Sequence, residues 1–131
     1  MTTFPDVAAA EHWILAQDPA PAVACTHLRQ SPHPHVAVTL DAAAGGRAVR
    51  FPGVDALVGT LRVAEVLASS AIDRIEVLGG TPAAELALLD TQDYVRPQWR
   101  DGDLVLTVMP AAGGRLVPFE TRNPTPCCAS H

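Results

Sequence analysis

Apolar and polar positions along this chain follow two different periods, and the period changes where glycine and proline cluster. Residues 6–17 carry Ala8, Ala9, Ala10 and Ala16 together with Trp13 and Ile14, which favours a helix with a core-facing side. Asp18-Pro19-Ala20-Pro21 ends that helix, because a residue before proline is pushed out of the helical region. Residues 23–28 read as a short strand and Ser31-Pro32-His33-Pro34 as a turn. Residues 36–40 and 48–51 read as strands of a hairpin around a glycine-bearing turn.

Pro52-Gly53 then opens the longest helical pattern, residues 54–70. Val54, Leu57, Val58, Leu61 and Ala68 recur at helical spacing, and Val63, Val66 and Leu67 widen the apolar face. Arg62 and Glu65, three apart, are expected to pair on its exposed edge. Residues 72–78 predict a strand closed by Gly79-Gly80. Residues 83–89 predict a short helix with Thr81 as N-cap and Pro82 in the first turn. Asp101-Gly102 marks a turn, and residues 104–109 and 116–119 are strands around a second glycine turn.

Two of these segments match. Residues 36–51 read VAVTLDAAAGGRAVRF and residues 104–119 read LVLTVMPAAGGRLVPF, with eight identities at an offset of 68. Thr39, Arg47, Val49 and Phe51 correspond to Thr107, Arg115, Val117 and Phe119, beyond the Ala and Gly matches that biased composition explains. The pattern predicts two similar hairpins and no longer repeat. The expected architecture is a single α+β domain over residues 1–131: an antiparallel sheet built around these hairpins, with the long buried helix packed on one face. Residues 122–131 form a C-terminal tail.

Composition narrows the function. Nine basic against fourteen acidic residues leave a net charge of −5, which disfavours a nucleic-acid binder. No apolar run approaches the ~20 residues of a membrane span, and the first ten residues lack a secretory pattern. A cytoplasmic location with reduced thiols is expected, and three cysteines do not complete a disulfide framework.

Those cysteines and four of the five histidines form the one chemical constellation. Cys25, His27, His33 and His35 lie within eleven residues, and Cys127, Cys128 and His131 lie in the tail. Thiolate and imidazole suit a metal ion: zinc first, copper(I) next, with iron or an iron–sulfur cluster a further option. If the two hairpins share a sheet with their loops aligned, the segments at their open ends become neighbours and the halves form one site. The leading reading is therefore a small metal-binding protein. One alternative is a metal- or thiol-dependent small enzyme using Cys128 and His131, with Glu120 and Asp93 the nearest supporting carboxylates in sequence. The other is an interaction or assembly module, with a protein partner or a homodimer formed through hairpin edges. Tyr94, Arg96, Trp99 and Arg100 form a candidate binding surface, since aromatic and Arg side chains concentrate in interfaces. Gly79-Gly80-Thr81 is a weaker anion site without the lysine of a P-loop.

Overall fold

The structure, a computed structural model, describes residues 2–41 and 45–120. Among the described residues eleven strands join in one mixed sheet: β1 (Thr2–Phe4), β2 (Ala24–Arg29), β3 (His35–Leu40), β4 (Arg47–Arg50), β5 (Thr60–Arg62), β6 (Arg74–Val77), β7 (Thr81–Pro82), β8 (Leu88–Asp90), β9 (Gln98–Arg100), β10 (Asp103–Pro110) and β11 (Leu116–Pro118). The two α-helices are short: α1 (Val7–Leu15) and α2 (Val63–Ser69). This corrects the expected antiparallel sheet with a long buried helix on one face.

Helix α1 forms as its sequence predicts. The Asp6 carboxylate caps it by accepting from the Ala9 backbone N–H at 2.8 Å. Ala10 and Ile14 are fully buried against Ala24, Val36, Val38 and Val49 of β2, β3 and β4. Strand alternation sends Cys25 and Ala48 to the opposite face, into the main core with Phe51, Leu89, Leu104, Leu106 and Val108. The sheet around β2 and β4 is thus buried on both sides.

The segment 54–70 is not one helix. A straight helix of that length would carry its ends roughly 24 Å apart. Instead the chain folds back, and the Ala71 N–H donates to the Pro52 carbonyl at 2.9 Å. Gly59, with φ at +69°, breaks the pattern, and β5 pairs antiparallel with β8 through Leu61 and Leu89. Only residues 63–69 remain α-helical. The expected Arg62–Glu65 pair is a cap: the Arg62 backbone N–H donates to Glu65 Oε1 at 2.9 Å.

The predicted helix at 83–89 is also absent. The segment instead makes a turn, closed by the Ala87 N–H on the Ala84 carbonyl at 3.1 Å, before entering β8, and it serves α2, whose first N–H groups have no partner within the helix. Val63 N–H donates to the Ala87 carbonyl at 3.0 Å and Ala64 N–H to the Glu85 carbonyl at 2.9 Å. Forming a helix at 83–89 would withdraw those acceptors.

The two matched segments fold differently. β10 and β11 form the predicted antiparallel hairpin. β3 and β4 do not pair with each other; both flank β2, which is antiparallel to each. The first tight hairpin is therefore β2–β3, and its connection carries His33. Among the described residues, no helix is long and apolar enough to cross a membrane.

Candidate functional site

The hairpin from which the expected split metal site was argued does not form. His33 and His35 were to sit at the open mouth of a β3–β4 hairpin, but they lie at the closed end of β2–β3, where Arg29 faces His35. Cys25 faces Thr39, four positions along, or roughly 13 Å at the rise of a strand. Cys25 is fully buried in the main core. His27 is buried beside Thr39, with its Nε2 3.0 Å from the Thr39 hydroxyl. Burial, and then the charge of Arg29, push its pKa below the ordinary histidine value. His33 and His35 are outside the core, their rings 5.4 Å apart, with His35 Nδ1 2.7 Å from the His33 carbonyl. Among the described residues no group of three or more His, Cys, Asp or Glu side chains is arranged to hold a metal ion. The metal-binding reading is corrected on that finding. Cys127, Cys128 and His131 lie outside the described residues.

A different cluster lies beside α1. Glu11 stands four residues after Val7 and three before Ile14, on the side of the helix that packs against the sheet. Arg47 precedes Val49 by two on β4, so alternation points both toward α1. Tyr94 and Arg96 share one side of the segment entering β9, whereas Val95 between them enters the main core. Glu120 follows β11.

These five side chains interlock. Arg96 grips Glu11 with two donors: Nε to Oε2 and Nη2 to Oε1, each 3.1 Å. Arg47 donates Nη1 to Glu11 Oε2, Nε to Glu120 Oε1, and Nη2 to the Tyr94 hydroxyl at 2.7 Å. The Tyr94 hydroxyl donates to the Glu11 carboxylate, its oxygen 3.0 and 3.1 Å from Oε2 and Oε1. The Arg96 guanidinium lies over the Tyr94 ring at 4.0 Å, a cation–π contact.

The electrostatics follow from that packing. Burial raises the Glu11 pKa, but the hydrogen bond and charge of Arg96, and then those of Arg47, outweigh it and hold the group below the usual carboxylate value. Burial lowers the Arg47 pKa, and the charges of Glu11, Glu120 and Tyr94 reverse that and raise it. Burial is the largest cause of the raised Tyr94 pKa. At neutral pH the cluster therefore holds an ionised Glu11, a protonated Tyr94 and two guanidinium cations.

The cluster forms the floor of an open groove of about 730 Å³. Val7, Ala8, His12 and Leu15 of α1 line it together with Phe119; Leu15 is 57% exposed and Phe119 53%. Of the four expected binding residues, Tyr94 and Arg96 belong to this site. Trp99 turns to the main core. Arg100 lies on the same side of β9 as Arg96 but reaches away from Glu11: its Nη1 meets Glu76 at 3.4 Å and its Nη2 meets Thr107 at 3.2 Å, in a neighbouring pocket that Arg96, Phe119 and Glu120 also line. The sequence reading missed Glu11 and Arg47 as site residues. The available signal was a carboxylate set within the apolar side of a helix, which demands a buried partner.

Comparison with family models, curated proteins and solved structures gave no match.

Proposed function

We propose that the chain is a binding module that takes a small amphipathic ligand in the groove between α1 and Phe119. The observation that carries this reading is one charged, hydrogen-bonded floor beneath walls that are apolar except for His12, with Leu15 and Phe119 half exposed. Ligand sites combine apolar lining with a few fixed polar groups in this way. The floor is held from several elements at once, so its donors stay in place without a ligand and little ordering is needed on binding. Its titratable groups support binding over acid–base chemistry. Glu11 and Tyr94 are shifted away from neutrality in opposite directions, so neither is poised to exchange a proton near pH 7.

Titration with 1-anilinonaphthalene-8-sulfonate, an apolar ring system with an anionic head, tests the reading. Saturable one-to-one fluorescence enhancement is expected at unchanged near-ultraviolet circular dichroism. Leu15→Glu and Phe119→Glu should each weaken it at least tenfold. Equal enhancement in native protein and both variants, or none in any, would overturn the groove as a ligand site.

A further inference from the structure

The charges on the groove floor are not balanced among its buried side chains. Glu11 is one carboxylate between two guanidinium groups. Arg96 occupies both of its oxygens, and Arg47 shares Oε2. The three buried side chains are 8–12% exposed and together carry one excess positive charge. The balance comes from the rim, where Glu120, 37% exposed, accepts from Arg47 Nε. Phe119, its neighbour in sequence, forms the apolar wall beside that position.

We infer that Glu120 occupies a carboxylate seat, and that the groove takes an amphipathic monocarboxylate whose head replaces Glu120 on Arg47. This rests on the proposed groove and adds the ligand's chemistry. Three features support it. The Nε edge of a guanidinium favours a planar oxyanion over a neutral hydroxyl. An anion there restores the neutrality that displacing Glu120 would remove. The seat adjoins Phe119, Leu15 and Val7, so a chain attached to the carboxylate has an apolar surface to follow. Glu120 competes with the ligand as a tethered rival, which lowers the ligand's apparent affinity in the native protein.

Calorimetric titration with octanoate and with octanol, at matched ionic strength, tests the inference on native protein, Glu120→Ala and Glu120→Gln. Removing the rival should tighten octanoate binding at least tenfold in Glu120→Ala and measurably in Glu120→Gln, while octanol affinity stays within twofold. Equal changes for acid and alcohol, or no change for octanoate, would overturn the carboxylate seat. The sulfonate probe read on the same samples separates the two ideas. Groove binding of the probe with no selectivity for octanoate defeats only the head-group assignment; loss of both defeats the groove.

Discussion

Residues 36–51 and 104–119 share eight identities and have opposite fates. In the second segment β10 turns directly into β11, Arg115 is exposed, and Phe119 stands half in solvent on the groove wall. In the first, β2 intervenes between β3 and β4, Phe51 is 1% exposed, and Arg47 joins the buried cluster under α1. Even the matched threonines differ: Thr39 meets His27, whereas Thr107 meets Arg100. A turn sequence specifies that the chain can reverse. Which strand lies alongside after the reversal depends on the rest of the molecule, and that choice determines whether an Arg becomes a site residue or a solvated side chain.

The largest contrast should be between the phenylalanines. Phe51→Ala should cost about 3–5 kcal/mol in urea unfolding, as buried aromatic truncations do. Phe119→Ala should stay within about 0.5 kcal/mol. Similar losses at both positions would erase the distinction between the segments.

The arginines come next. Arg47→Ala strips Glu11 of one buried partner and should cost about 3 kcal/mol, whereas Arg115→Ala should be nearly neutral by the same measurement. The additional variant Glu11→Gln in the Arg47→Ala background should deepen the loss, because Arg96, which holds both Glu11 oxygens, is then left as a buried cation without its carboxylate.

The turn glycines give a smaller contrast. Gly46 and Gly114 have φ of +78° and +74°, so alanine is strained at both, by about 1–2 kcal/mol. At Gly46 a methyl group would also lie 2.5 Å from the Thr26 carbonyl oxygen and 2.7 Å from His27 Nδ1, whereas at Gly114 it meets open space. Gly46→Ala should therefore have the lower thermal midpoint of the two variants.

The smallest effect is the pH dependence at His27. Its folded pKa is lowered by burial and by Arg29, so below about pH 6.5 the unfolded chain takes up a proton that the folded protein refuses. This contribution is complete above that pH and is lost as pH falls through the folded value. Urea midpoints should decline from pH 7.5 to 5.5 in the native protein and decline less in His27→Gln. Glu11 acts with the same sign further down, below about pH 4.3, where its depressed pKa makes acid destabilising.

Much of the sheet is legible in the sequence because its strands alternate between turn residues. β2, β3, β10 and β11 fall where alternation predicts, and α1 begins at its Asp6 cap. The segment 54–70 imitates one helical period because an exposed 3-10 turn that buries Leu57, a short strand and a short helix each carry apolar residues. The pairing of β5 with β8, Leu61 opposite Leu89, helps to separate them, and that pairing is long-range. The site follows the same logic. Tyr94 and Arg96 stood out by composition, but Glu11 meets Arg47 and Arg96 across 36 and 85 positions, distances that no spacing rule reaches. The Cys/His constellation was conspicuous by residue type and depended on a β3–β4 pairing that does not form.

The central claim is that the surface over Glu11, Arg47, Tyr94 and Arg96 is where this protein binds. Backbone amide chemical shifts followed by nuclear magnetic resonance during octanoate titration test it directly. The account predicts saturable shifts confined to the Ala8–Leu15 side of α1, Arg47, Tyr94 to Arg96 and Phe119. Saturable shifts centred on His33 and His35 or on Glu76, Arg100 and Thr107, with the α1 face unchanged, would contradict it.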